Sequence, residues 1–457
     1  MNLTAQLFQL LHDVGHLGVE ITLVSGAMLV LVVGLFRIPS IVIKGVAAVT
    51  VIVALAQLSP SGEYLFGDML VSSRLSWAMV RICLVAVLLV LLFRTSAEQR
   101  SSYYFLMLTI LTGAILMMHA RHFLLIYLAV EMVSYGAYVL TNFSFSKNGH
   151  EAGLKYLLFG GICSAVMLFG ISLIYGVQGH LYLTSAAIDS PYEQMAATFI
   201  FVGIFFKISA VPFHVWVPNV YQSAPVDTAA FFSIVPKVAG LILLSNVLTA
   251  WNWGHPLVLF FGLASILVGT FGAIGQSNVR RLVSYGAIAH TGLLIPFVLW
   301  EFSAQQFVWY VAIYAAMNVA VFYALQVFES HGMHLLEAYA GAGKKLVGLG
   351  VFFTIVLVAL IGLPPTVGFT AKWMLFSGLW AEYRLTDDGW VLAYFLTSLF
   401  ATAVAVYYYL RPSYQLFLVD GTSDPAPAKR TTLVILGVFG LAMIALFVFP
   451  ELLRWFY

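Results

Sequence analysis

Long apolar runs follow one another from residue 18 to residue 454, at about 18–36, 40–58, 72–93, 102–118, 122–142, 152–177, 195–216, 226–248, 256–275, 280–300, 306–328, 347–380 (interrupted), 390–411 and 432–454. Each approaches the roughly 20 residues that a helix needs to cross a hydrocarbon layer about 30 Å thick. The pattern predicts an all-α polytopic membrane protein with about fourteen transmembrane helices. Connections hold mostly Gly, Pro, Asn or a few charges, so the whole of 1–457 reads as a single transmembrane domain without a soluble appendage.

Composition agrees with that reading: 62% of residues are hydrophobic and 9% charged, with a mean hydropathy of +0.97, outside the range of soluble domains. A net charge of +2 and the lack of any like-charge block argue against a nucleic-acid partner. Cys83 and Cys163 both lie in apolar runs, whereas an iron–sulfur cluster needs about four thiolates. No resident metal or redox centre is expected. Met1 to Glu20 lacks the basic segment of a signal peptide, so the N-terminus is expected to be retained.

Basic residues orient the runs. Alternate connections on one side carry Arg37, Lys44, Arg94, Arg100, Lys147, Arg280, Arg281, Lys344, Lys345, Arg411, Lys429 and Arg430, against Arg74, Arg121, Arg384 and Arg454 on the other. The richer side faces the cytoplasm by the positive-inside rule. Both termini then fall on the periplasmic side, which requires an even number of spans.

Proline breaks two runs, at Phe206-Lys207-Ile208-Ser209-Ala210-Val211-Pro212-Phe213-His214 and at Gly362-Leu363-Pro364-Pro365-Thr366-Val367-Gly368-Phe369. Proline inside a helix removes a backbone bond and clashes with the preceding turn. Unwound backbone at membrane depth survives only inside protein or along a hydrated cavity. The broken spans are the seventh and the twelfth, an odd separation, so five-helix units over 102–250 and 256–411 would be inverted repeats, a plan that transporters use.

Ionisable groups inside these runs are the candidate chemistry, because a charge at the bilayer centre costs roughly +2.5 to +3.5 kcal/mol even on insertion scales. Glu131 lies mid-run, and Lys207 is its expected partner, with Lys155 as the second choice. Lys237, following Pro236, is expected to act as a central relay, since a desolvated amine can give and take a proton. Lys372 is the expected terminal group, and His290 the bridge to it from Lys237. A structural alternative stands beside each: Lys155 could snorkel to the interface, His290 could be a hydrogen-bonded core residue, and the four principal charges could form static pairs. Glu20, His119 and His122 read as interfacial, and Asp227 suits a helix N-terminus.

With these residues in view, the chain resembles the antiporter-like membrane subunits of respiratory complex I, NADH-quinone oxidoreductase, most nearly those of the subunit N type. The matching stretches run through roughly 100–380 and include Tyr127-Leu128-Ala129-Val130-Glu131-Met132, Leu154-Lys155-Tyr156, Gly170-Ile171-Ser172-Leu173-Ile174-Tyr175-Gly176, both proline breaks, Val235-Pro236-Lys237, and Gln276-Ser277-Asn278-Val279-Arg280-Arg281-Leu282 with Tyr285 and His290. Lys372, where a sister subunit has glutamate, favours the subunit N type. So does an end just after the last run, which leaves no room for a long lateral helix. Tyr221-Gln222-Ser223-Ala224-Pro225-Val226-Asp227-Thr228 and Tyr285-Gly286-Ala287-Ile288 depart from the family pattern, and the first of these puts the usual loop acid in doubt.

The resemblance implies a proton-translocating subunit of the bacterial inner membrane with no redox site of its own. Glu131, Lys207, Lys237 and Lys372 match its proton-pathway positions, with Lys155 and His290 as lesser members. Its partners would be other membrane-arm subunits and the lipid bilayer, and NADH, FMN, iron–sulfur clusters and quinone would sit on other subunits. Competing readings are a subunit of an Mrp-type cation/proton antiporter or membrane-bound hydrogenase, and a structural subunit with static ion pairs.

Overall fold

The computed structural model describes residues 3–36, 38–58, 64–93, 101–143, 145–185, 187–300, 302–421 and 430–457. Arg37, Arg94, Arg100 and Lys429, four of the charges used to orient the chain, lie outside the described residues. The chain divides into two compact units, residues 1–208 with 234–255, and residues 209–233 with 256–457.

The first unit contains helices α1 (Leu3–Gly15), α2 (Gly18–Leu35), α3 (Ser40–Ala56), α4 (Arg74–Phe93), α5 (Ser101–His119), α6 (Phe123–Thr141), α7 (Lys147–Gln178) and α8 (Pro191–Ile208). A two-stranded hairpin, β1 (Tyr64–Leu65) with β2 (Leu70–Val71), precedes α4. The unit also holds most of α10 (Val226–Trp251). Caps explain the bounds of α7: the Ser146 side chain accepts from Gly149 N, and Gly179 ends the helix in the left-handed region at φ 72°. Helix α7 lies along α8, where a Cβ on Gly170 would come 2.7 Å from the Ala196 carbonyl oxygen, so only glycine permits that approach.

The second unit contains α9 (Val217–Ser223), the start of α10, α11 (His255–Ile274), α12 (Val279–Leu294), α13 (Pro296–Leu299), α14 (Ala304–Ser330), α15 (Val347–Ile361), α16 (Val367–Thr386), α17 (Gly389–Leu418) and α18 (Arg430–Val448). Asn278 caps α12 by accepting from Arg281 N, and Ser303 with Gln306 forms a capping box on α14. Helices α15 and α16 both pack on α17, and α14 packs on α15.

Ten described helices are long and apolar enough to cross a bilayer: α2, α4, α5, α6, α7, α10, α11, α12 with α13, α14 and α17. Four of the fourteen apolar runs fall outside that set for visible reasons. Helix α3 has 17 residues, α8 stops at Ile208 inside a break, and the run over 347–380 is two helices, α15 and α16. The last run bends by 101° between α18 and a final turn at Pro450–Phe456. The chain is thus a predominantly helical, multi-pass membrane protein.

Candidate functional site

In the first unit, α6 and α8 bring buried charge together. Lys207 sits in the last turn of α8, 2% exposed, and its Nζ donates to Ser134 Oγ on α6 at 2.6 Å. Its ammonium also lies 5.7 Å from the centre of the Phe206 ring. Ser134 donates its own proton to the Val130 carbonyl at 2.7 Å. Glu131 is buried one turn before Ser134, and its Oε1 has no hydrogen-bond partner among the described residues. No direct Glu131–Lys207 ion pair is present among the described residues, and the Lys207 ammonium bonds Ser134 instead. Lys155 differs more: it is exposed on the first turns of α7 and pairs with Glu151 at 2.5 Å, an i,i+4 bridge, so it does not partner Glu131. Lys237, 1% exposed, sits near the middle of α10 beside Pro236.

The same unit holds a pair that sequence reading assigned to the interface. Glu20, in the first turn of α2, and His119, the last residue of α5, are both buried, with Oε1 and Nδ1 3.5 Å apart. The Trp77 ring lies against the imidazole, centroids 4.7 Å apart. A separation of 99 positions hides the pairing in the sequence.

In the second unit, His290 on α12 is buried against α14, its Nδ1 3.5 Å from Tyr310 Oη and its ring 5.4 Å from that of Tyr314. Lys372 on α16, 5% exposed, donates to the Ile361 carbonyl at 2.7 Å and to Thr402 Oγ1 on α17 at 3.2 Å. Its ammonium thus binds a carbonyl and a hydroxyl. Asp227 occupies the first turn of α10 as expected, with Oδ1 accepting from Thr228 N.

Both breaks share a backbone signature. The residue after α8 is Ser209 at φ 63° and the residue after α15 is Gly362 at φ 85°, each three residues before a proline, Pro212 and Pro365. Lysine chemistry then converges. Lys207 stands in the last turn of its half-helix, and Lys372, although 11 residues beyond Ile361, reaches back to that final carbonyl of α15. The Lys372 ammonium therefore sits at a helix C-terminus, where unpaired carbonyls and the macrodipole favour positive charge.

Arg280 anchors the segment beyond the first break. Its guanidinium forms a two-point bridge with Glu329 on α14 and donates from Nη1 to the carbonyls of Ala224 at 2.7 Å and Gln222 at 3.1 Å. Arg281 reaches Asn219 Oδ1 at 2.9 Å on α9. Counted in the sequence as loop charges, both arginines are engaged with the segment over 217–224. Among the described residues, no group of three or more His, Cys, Asp or Glu could hold a metal ion.

Residues 120–402, more than half of the chain, match the family described as NADH:quinone oxidoreductase/Mrp antiporter, transmembrane. The chain belongs to that family. An NADH-quinone oxidoreductase subunit N 2 from Acidobacterium capsulatum is 31% identical over 445 residues, covering 90% of each chain. A chain of respiratory complex I from Thermus thermophilus matches with a TM-score of 0.82 at 27% identity, over 95% of this chain and 98% of that one. A chain of the Mrp complex from Dietzia matches at TM-score 0.82 and 17% identity, over 97% of this chain and 95% of that one, a likeness of fold alone. Within the family, this member is most like the complex I subunits named N.

Proposed function

We propose that this subunit carries protons from the cytoplasm to the periplasm as a non-redox part of a proton-translocating NADH-quinone oxidoreductase. The observation that carries the reading is the burial of three lysines, Lys207, Lys237 and Lys372, at 2%, 1% and 5% exposure in a chain of membrane-crossing helices. An ammonium kept at membrane depth in three separate places is costly unless its charge is used. In this mechanism Glu131 and Lys207 form an electrostatic switch. Its opening changes the proton affinity of Lys237, which passes a proton toward Lys372 with His290 as intermediate. Moving one charge against about 100 mV takes about 2.3 kcal/mol, within reach of a change of a few units in proton affinity.

The same reading has fourteen spans, inverted five-helix repeats over 102–250 and 256–411, and both termini on the periplasmic side of the inner membrane. The shared backbone signature at Ser209 and Gly362 supports the repeats. NADH, FMN, iron–sulfur clusters and quinone belong to other subunits, and the energy of quinone reduction reaches this one through its membrane-arm neighbours. Lys155, exposed beside Glu151, has the weakest claim on the pathway.

The test is Lys237→Met in the intact complex reconstituted into liposomes, reading protons moved per two electrons beside the quinone-reductase rate. Loss of pumping or of coupled turnover in a fully assembled complex is expected. An unchanged proton ratio at normal turnover would leave the buried lysines structural.

A further inference from the structure

We infer that Ser134 is a second station for the Lys207 ammonium, so that Lys207 alternates between Ser134 and Glu131 along one face of α6. The inference rests on the proton-carrying reading above and adds a residue to it. Ser134 is fully buried, and its hydroxyl proton is committed to the Val130 carbonyl at 2.7 Å, one turn back on the same helix. Its oxygen is thereby left as an acceptor aimed at Lys207, whose Nζ donates to it at 2.6 Å. Glu131 precedes Ser134 by three residues, the spacing that sets two side chains on one helix face. The two stations are offset by about 4.5 Å along the axis, within the swing of a four-carbon lysine stem anchored on a neighbouring helix.

The chemistry gives the two stations different jobs. At Glu131 the ammonium meets an opposite charge, while at Ser134 it meets only a dipole and leaves the carboxyl unpaired, as its Oε1 is here. Moving the lysine between them shifts a full positive charge along α6 without making or breaking a covalent bond to hydrogen. A switch needs two positions of comparable free energy, because a ligand or field can move an equilibrium only by its differential effect on the two states. A hydroxyl that satisfies the ammonium supplies the second position. Without it, the open arrangement would leave a buried charge with no acceptor. Ser134 is thus a positioning residue acting through Lys207.

Ser134→Ala and Ser134→Thr test this in the fully assembled complex in liposomes, with Lys237→Met run alongside. Removing the hydroxyl should lower coupled turnover by about tenfold, the scale set by losing a hydrogen bond to a charged group. Threonine, which keeps the hydroxyl, should restore it. If Ser134→Ala pumps as the parent does while Lys237→Met does not, the second station is refuted and the proton-carrying reading survives. If the alanine and threonine variants lose turnover equally, volume rather than the hydroxyl matters at this position, and the inference is likewise overturned. A Lys237→Met complex that pumps normally would instead remove the reading on which both rest.

Discussion

Arg280 shows how a single side chain can hold the chain between two helices. Its guanidinium and the Glu329 carboxylate are 12% and 9% exposed, and its remaining donor reaches the carbonyls of Gln222 at the end of α9 and of Ala224 just after it. Removing one partner of such a pair strands the other, at a typical cost of about 3–5 kcal/mol when buried. Glu329→Gln should therefore lower the apparent melting temperature of the purified complex and its yield, and Arg280→Lys should not rescue function, since an ammonium lacks the fork that binds both oxygens. A wild-type melting profile for Glu329→Gln would show that the bridge carries little. At this scale the burial of a charge was legible where it interrupts an apolar run, as for Glu131, Lys207, Lys237 and Lys372. It was silent on Ser134 because a membrane serine can satisfy itself on the preceding turn, as this one does on Val130, and so reads as neutral filler. Glu20 and His119 looked interfacial because each stands near a helix end; only packing of α2 on α5 makes them a buried pair.

Among the elements, the breaks were readable and their consequences were not. Proline placement marks both interruptions, but not where a lysine stem will carry its charge. Lys372 follows the break by several residues in sequence, yet its ammonium lies at the end of α15. Close packing fixes that outcome: a Cβ on Gly368 would collide with the Ala359 carbonyl, so α16 can start against the last turn of α15 only with glycine there. Gly368→Ala should drive these helices apart, lengthen the Lys372–Ile361 contact, and reduce coupled turnover by about tenfold or more, for a loss of about 1.4 kcal/mol or greater. Faster amide exchange over 358–372 in the variant would report the same opening; unchanged exchange and turnover would show that the break absorbs the extra methyl. Helix α1 and the short hairpin were missed because neither forms an apolar run long enough to cross a bilayer.

For the whole molecule, the apolar runs announced a multi-pass helical protein, and the family match over 120–402 agrees with the stretches that carried the resemblance. Exact span number is harder to read, because a run of apolar residues does not say whether one helix or two half-helices fill it, as 347–380 illustrates. Orientation gives a direct check. With both termini on the periplasmic side, single cysteines placed near Arg384 and near Tyr457 should react with a membrane-impermeant maleimide from the periplasm, and one placed near Lys345 only after the membrane is opened. The reverse pattern would invert the topology and the assigned direction of transport with it.

The partner chosen for Lys372 has a consequence of its own. A backbone carbonyl accepts a hydrogen bond from a neutral amine as well as from an ammonium, and it holds no proton that it could exchange. Lys372 can therefore lose its charge and stay where it is, whereas Lys207, at the Glu131 station proposed above, would lose its reason to stay there as soon as either group is neutralised. On the reading proposed above, one lysine moves when charge changes and the other stands still, a lever and a fixed contact made from the same amino acid.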